Sequence, residues 1–258
     1  MKFSLRRLLS GLFVSDYACL ICGRELDGKT RYNVCSNCYQ KQEYIERGCL
    51  KCGKLLVTEA EYCLDCQQNE KSYDVAVAPF VYSAAIPNLV MDLKFNNKRY
   101  LAPYMARFMT DKFLEKGLTA SFVLPVPLHK KRERKRGFNQ SALLGEEIAK
   151  GLNLPYLPQV ASRIKDTLTS STLEGGRKAR EENMKDAFVI NEPSAVKNKA
   201  VLVVDDVLTT GSTSGELARA LKKAGATRVL VLTFATTKEK PPIQKQESPS
   251  IADLMAPF

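Results

Sequence analysis

The chain has 258 residues, with 39 Lys+Arg against 28 Asp+Glu and a formal net charge of +11. That length accommodates one α/β core plus a small module, and no apolar run approaches the roughly 20 residues that a membrane-spanning helix needs. The charge is uneven, with residues 1–70 close to neutral and the excess carried by 71–240. A basic domain of this kind points to polyanionic partners, nucleotides or nucleic acid, and not to membrane insertion.

At the start, Lys2, Arg6 and Arg7 precede LLSGLFV, the outline of a secretory signal. The apolar stretch is short, broken by Ser10 and Gly11, and followed by Asp16 with no small-x-small cleavage site. The expectation is a short amphipathic helix over 3–13 and a cytoplasmic protein. All eight cysteines then fall in four CxxC pairs: Cys19/Cys22, Cys35/Cys38, Cys49/Cys52 and Cys63/Cys66. Each CxxC turn offers two thiolates to one ion, so four pairs provide for two tetrahedral Cys₄ zinc sites. Sequential and interleaved groupings both use every cysteine. CLICGREL at 19–26 and CLKCGKLL at 49–56 share one phrase, and CSNC and CLDC end the two units. This tandem repeat predicts sequential grouping, 19/22/35/38 and 49/52/63/66, with two structural Zn²⁺. Disulfides are disfavoured inside the cell, and a single redox CxxC leaves the other pairs unexplained. Residues 1–70 are therefore predicted as a short helix plus a double zinc ribbon that depends on metal to fold. Their near-neutral charge favours docking of protein partners.

Residues 71–237 read as an α/β domain. YDVAVAPFVY at 73–82 predicts strands, and apolar spacing predicts helices over 86–94 and 101–116. Residues 88–97 are expected to form a hood, with Lys94 facing ligand or solvent. SFVLPVP at 121–127 predicts a buried strand entering a proline-punctuated loop. The basic stretch His129–Arg136 follows as a loop, and Gly137 leads to a helix over 141–151. Lys130, Lys131, Arg132, Arg134 and Lys135 are candidates for binding nucleic acid. Phe138 is either a ring for base stacking or a core anchor for the turn. Residues 167–188, rich in Thr, Ser and Gly, read equally as a mobile flap over a site or as a surface hairpin, returning to a strand at 187–190.

VLVVDDVLTTGST at 201–213 carries the most chemistry. Val201 to Val204 suit a strand buried on both faces of a parallel sheet, and Asp205 and Asp206 fall at its carboxyl end, where such sheets place ligands. Small hydroxylated residues then open a helix with Leu217, Ala218, Leu221 and Ala224 on one face, stopping at Gly225. Backbone N–H groups at a helix N-terminus, helped by Thr and Ser hydroxyls, make a phosphate cradle. Two carboxylates just before it suit the cis-diol of a ribose, directly or with Mg²⁺. The ligand so implied is a ribose 5-phosphate. This run resembles, without a gap, the fingerprint of type I phosphoribosyltransferases, which bind phosphoribosyl pyrophosphate (PRPP). In such enzymes the loop after the first core strand holds the pyrophosphate, and a basic turn there neutralises the departing charge.

The double zinc ribbon, LKF at 93–95, PVPL…RGFNQ at 125–140, Arg180-x-x-Asn183 followed by AF, and VVDDVLTTGST together resemble the ComF (ComFC/GntX-like) family. The resemblance covers nearly the whole chain, from Cys19 to Thr236. It implies a phosphoribosyltransferase-like parallel sheet flanked by helices behind the ribbon. PRPP would sit on Asp205, Asp206, Val207, Leu208, Thr209, Thr210, Gly211, Ser212 and Thr213. Its pyrophosphate would face Arg136, with Arg180 reaching in from the flap and Mg²⁺ accompanying the ligand. Asp205, Asp206 and Arg136 would carry any catalysis. The family is associated with natural transformation and the handling of imported single-stranded DNA, with protein partners in uptake and recombination docking on the ribbons. An active Mg²⁺-dependent phosphoribosyltransferase with an unidentified acceptor is the alternative.

Two departures narrow the chemistry. Purine salvage transferases place a proton-accepting carboxylate where this chain has Thr209, and His129 is a poor substitute. Amidotransferases of related fold need a nucleophilic cysteine, and every cysteine here belongs to a CxxC pair. Residues 238–258, polar and proline-rich, are expected to be disordered.

Overall fold

The computed structural model describes residues 18–28, 30–167 and 176–239, with the side chains of 176–178 set aside. The helix expected over 3–13, residues 168–175 of the flap and the tail beyond 239 lie outside the described residues. The core is a parallel sheet of β1 (Val75–Val77), β2 (Phe80–Val81), β3 (Phe122–Pro125), β6 (Ala200–Leu208) and β7 (Arg228–Thr236). The strand order is β1-β7-β6-β3, with β2 prolonging the β1 edge along β7. β4 (Ala161–Arg163) and β5 (Phe188–Ile190) pair antiparallel in a separate hood.

Burial on both faces accounts for the unbroken apolar runs of β6 and β7. On one face α3 (Ile86–Phe95), α4 (Ala102–Glu115) and α6 (Gln140–Leu152) pack Leu93, Met109 and Leu144 against Leu202, Val204 and Leu232. On the other, α9 (Ser212–Lys223) packs Leu217, Ala218 and Leu221 against Val201, Val203 and Val231. Between them along the chain lie α5 (Lys130–Arg136), α7 (Gly176–Met184) and α8 (Pro193–Val196). The ribbons contribute α1 (Ser36–Gln40) and α2 (Leu64–Gln68) and cover the β1–β2 edge, where the Ala76 amide donates to Lys51 and the Val81 amide to Glu43. The first ribbon also docks on α4: the Tyr32 ring stacks on Phe108 at 3.9 Å, and the Tyr32 hydroxyl donates to Asp111 at 2.6 Å.

Three local expectations change. β6 does not end before the aspartates: Asp205, Val207 and Leu208 stay in register with Thr233, Ala235 and Thr236 of the equally long β7. The phosphate loop is therefore shorter than expected, and Ser212 and Thr213 already belong to α9. The basic stretch is a helix, α5, and not a loop. Lys and Arg are good helix formers, the His129 side chain accepts from the Lys131 amide, and Gly137 ends the helix in the left-handed region at φ +83. Finally, the start of the tail is placed. Lys238 bridges to Leu55, and the buried Glu239 carboxylate accepts from the Leu64 amide at 2.9 Å.

Leu217 is fully buried between α9 and the sheet. Leu217→Ala is expected to lower stability by about 2–5 kcal/mol in chemical denaturation. A loss below about 1 kcal/mol would contradict this packing.

Candidate functional site

Alternation along β6 puts Asp206 on the face of Leu202 and Val204, beneath α3, and Asp205 on the opposite face with Val201 and Val203. Both nevertheless line one cavity of about 400 Å³ at the carboxyl end of the strand. The wall continues through Val207, Leu208, Thr209, Thr210, Gly211, Ser212 and Thr213, so every residue read as part of the phosphate site reaches it. Gly211 holds φ +78, a conformation that favours glycine, and turns the chain into α9. The Thr210 and Ser212 hydroxyls pair at 2.8 Å across this turn. The opening turn of α9 thus presents backbone N–H groups and hydroxyls to the cavity.

Cations close the remaining sides. Lys94 descends from α3 and forms an ion pair with the buried Asp206 carboxylate. From α5, Arg132 and Arg136, one helical turn apart, enter the cavity wall together. Arg136 bonds Gln140 and lies 4.8 Å over the Phe95 ring. Arg163 comes from β4 and Arg180 from α7, and the Nε of each is buried without a hydrogen-bond partner among the described residues. Arg132 and Arg163 both bond Thr167, the one through its carbonyl and the other through its hydroxyl. Among the described residues, five cationic side chains face two carboxylates in this space.

The electrostatics follow from burial. Asp205 accepts from the Ser141 hydroxyl at 2.7 Å and from the Asp206 amide at 2.9 Å. Burial, then the like charge of Asp206, push its carboxyl up to about 7, with Lys94 and Ser141 opposing. Burial alone would lower the Lys94 ammonium, but the Asp206 carboxylate outweighs it and the net shift is upward. Burial holds Arg136 below the usual guanidinium range, and burial with repulsion from Arg132 brings Arg163 to about 10. These are cations crowded together where an anion would relieve them.

The structure separates the residues read as a nucleic-acid surface. Lys130, Lys131, Arg134 and Lys135 are exposed on the outer face of α5. Arg132 turns inward to the cavity wall, because residues i and i+4 share a helix face with Arg136. Phe138 is buried beneath the Arg99 guanidinium at 4.4 Å, so it anchors the turn and offers no ring for stacking. Arg163 and Ser141 were missed at the level of sequence. Arg163 stands alone in a three-residue strand, and Ser141 looks like an ordinary first-turn serine.

The eight cysteines group sequentially, Cys19/Cys22/Cys35/Cys38 and Cys49/Cys52/Cys63/Cys66, with ligand atoms in each set within 4.8 Å of one another. The Cys22 and Cys35 sulfurs lie 3.9 Å apart and those of Cys52 and Cys63 3.5 Å apart. Tetrahedral zinc with Zn–S near 2.3 Å sets its ligands about 3.8 Å apart, so both sets fit the ion.

A cysteine-tetrad ribbon joined to a parallel sheet with a dicarboxylate and a phosphate-type loop defines a double zinc ribbon protein with a phosphoribosyltransferase-like domain. Family models agree: a phosphoribosyl transferase domain matches residues 139–250 and a double zinc ribbon domain matches 9–67. Competence protein F of Haemophilus influenzae is 31% identical over 229 residues, covering 85% of this chain and 97% of that protein. DNA utilization protein YhgH of Escherichia coli is 29% identical over 224 residues, covering 85% of this chain and 96% of that protein. Competence protein ComFC of Streptococcus pneumoniae is 28% identical over 223 residues, covering 81% and 94%. The chain belongs to the ComF family of competence proteins.

The raised Asp205 carboxyl has a consequence for stability. Its ordinary value is 3.8, so between about pH 4 and pH 7 the folded state binds the extra proton and stability falls as pH rises. Asp205→Asn removes that fall. The variant is expected to gain stability over the parent at pH 8 but not at pH 4, as measured by denaturant unfolding. An equal difference at both pH values would refute the assignment.

Proposed function

We propose that this protein is a ComF-type DNA-handling factor whose phosphoribosyltransferase-like domain binds PRPP. The observation that carries the reading is the composition of the cavity: a ribose-compatible carboxylate pair, a phosphate-type loop and a surplus of cations lining one space. The loop 209–213 receives the 5-phosphate. Asp205 and Asp206 receive the ribose hydroxyls, with Lys94 limiting the charge on Asp206. Arg136, Arg163 and Arg180 receive the diphosphate. Asp205 and Asp206 would hold a Mg²⁺ accompanying PRPP, and that ion would supply further neutralisation of the diphosphate. A ligand without the diphosphate, such as ribose 5-phosphate, leaves the arginines uncompensated and binds more weakly.

Single-stranded DNA is the second ligand. Lys130, Lys131, Arg134 and Lys135 form an exposed basic stripe beside the cavity mouth and suit a phosphate backbone. The names of the relatives, competence protein and DNA utilization protein, support this DNA-related role. The two cysteine tetrads hold structural Zn²⁺, and the ribbons dock partners of DNA uptake and recombination in the cytoplasm. The alternative reading is a true transferase, in which an acceptor nucleophile bonds to C1 of the ribose as the C1–oxygen bond breaks and pyrophosphate leaves with the electron pair. Arg136, Asp205 and Asp206 would stabilise the charge of that transition state.

Two measurements separate the parts. PRPP is expected to raise the thermal midpoint of the zinc-loaded protein well beyond the rise from equimolar ribose 5-phosphate, with the difference lost in Arg136→Gln. Equal shifts from both ligands would remove the diphosphate assignment. Reversing Lys130, Lys131, Arg134 and Lys135 to Glu is expected to weaken single-stranded DNA binding at least about tenfold in fluorescence anisotropy, and to flatten its salt dependence by roughly 0.7 per lost phosphate contact. Unchanged affinity would place DNA elsewhere.

A further inference from the structure

The two cysteine tetrads stand in different surroundings. Cys19 and Cys38 belong to a small cluster with Leu26, apart from the sheet. Cys49, Cys52 and Cys63 lie inside the main core on the α9 face, in one cluster with Tyr73, Leu208, Leu217 and Val231. The second tetrad is thus packed into the same core as the strand and helix that flank the loop 209–211.

From this core Tyr73, only 1% exposed, reaches the loop itself. A Cβ placed on Gly211 would stand 3.1 Å from the Tyr73 Oη and 3.4 Å from its Cε1. The ring therefore abuts the one residue whose left-handed backbone turns the chain into α9. Tyr73 does not line the ligand cavity, so it supports the loop from behind. A second cavity, of about 440 Å³, lies on that rear side. Residues 68–72 form one of its walls and Thr210, Gly211, Ser212 and Gly215 another. The segment 68–72 leaves α2 directly after Cys66 and is tied back to it, because the buried Lys71 ammonium pairs at 2.8 Å with Asp65, between Cys63 and Cys66. Tyr73 shares its core cluster with Cys49, Cys52 and Cys63 and abuts Gly211, while Lys71, two residues before it in the chain, is paired with Asp65. No cysteine of either tetrad borders either cavity, so the second tetrad, which shares a core cluster with Tyr73, meets the loop through that ring and not directly.

We propose that the second tetrad with its zinc is the rear support of the phosphate loop, and that Tyr73 is the positioning residue linking them. The phosphate affinity of the loop then depends on the second metal centre and not on the first. This rests on the reading of 209–213 as a phosphate loop. Coupling between two sites is reciprocal, so filling the loop must also tighten retention of that one zinc ion.

The test uses the full-length, zinc-loaded protein. Zinc release to a colorimetric chelator is followed with and without PRPP, in the parent and in Cys22→Ser, which lacks a complete first tetrad. PRPP is expected to slow release of one of the parent's two ions about fivefold or more, and to slow release of the single ion left in Cys22→Ser equally. Hydrogen–deuterium exchange of peptides spanning 209–214 is measured without ligand in the parent, Tyr73→Leu and Cys22→Ser. Exchange there is expected to rise severalfold in Tyr73→Leu and to match the parent in Cys22→Ser. Equal zinc release with and without PRPP, in protein that binds PRPP calorimetrically, would overturn the proposal. So would unchanged loop exchange in folded Tyr73→Leu. If PRPP does not bind, the PRPP reading fails while the exchange arm still decides the link between Tyr73 and the loop. If Tyr73→Leu does not fold, zinc release in the parent decides it.

Discussion

Everything in the site depends on confining two adjacent carboxylates at the end of a strand buried on both faces. Asp205 and Asp206 stand where the sheet would otherwise continue its apolar ladder, and the ladder does continue through them to Leu208. Two like charges in that position are costly unless they are compensated. The structure compensates them differently. Asp206 receives the Lys94 ammonium, whereas burial and the neighbouring Asp206 charge raise the Asp205 carboxyl to about 7 against the opposing pull of Lys94, the Ser141 hydroxyl and the Asp206 amide. The same space then gathers three further arginines from three separate elements, together with Arg136. Among the described residues, the cavity wall thus carries five cationic side chains against two carboxylates, a surplus of positive charge.

The helix that carries two of these cations is short and capped at both ends. α5 has only one strong face, and His129 and Gly137 hold it so that Arg132 and Arg136 point inward while the remaining bases stay in water. One basic stretch is therefore divided between the cavity wall and the solvent-exposed surface. The ribbons are similarly divided. The first is fastened to α4 through Tyr32, Arg31 and Asp111, and the second is absorbed into the core behind β6. The near-neutral module thus completes the β1–β2 sheet edge with its inner surface.

Much of this was legible in sequence because the signals were of the strong physical kinds. Apolar runs fitted to buried parallel strands located β3 and β6, cysteine spacing with its tandem repeat grouped the tetrads, and the VVDDVLTTGST run identified the loop. What escaped had a physical reason. The extent of β6 is set by its pairing with β7, a tertiary partner that no local pattern around Asp205 records. In the basic stretch, charge masks the helix-forming tendency of Lys and Arg between a histidine cap and a glycine stop. Phe138 is decided between stacking platform and anchor only by the approach of Arg99, which lies far off in sequence. Arg163 and Ser141 lie far from Asp205 in sequence and reach it only through the hood and the start of α6.

The central claim is that Asp205, Asp206 and the adjoining loop form a PRPP site. Calorimetric titration of PRPP with Mg²⁺ into the zinc-loaded protein, beside Asp205→Asn/Asp206→Asn, addresses it most directly. Saturable binding by the parent that disappears in the folded double variant is the expected result. Absence of binding by the folded parent, or equal binding by the variant, would contradict the account and leave the phosphoribosyltransferase-like domain as a scaffold serving another ligand.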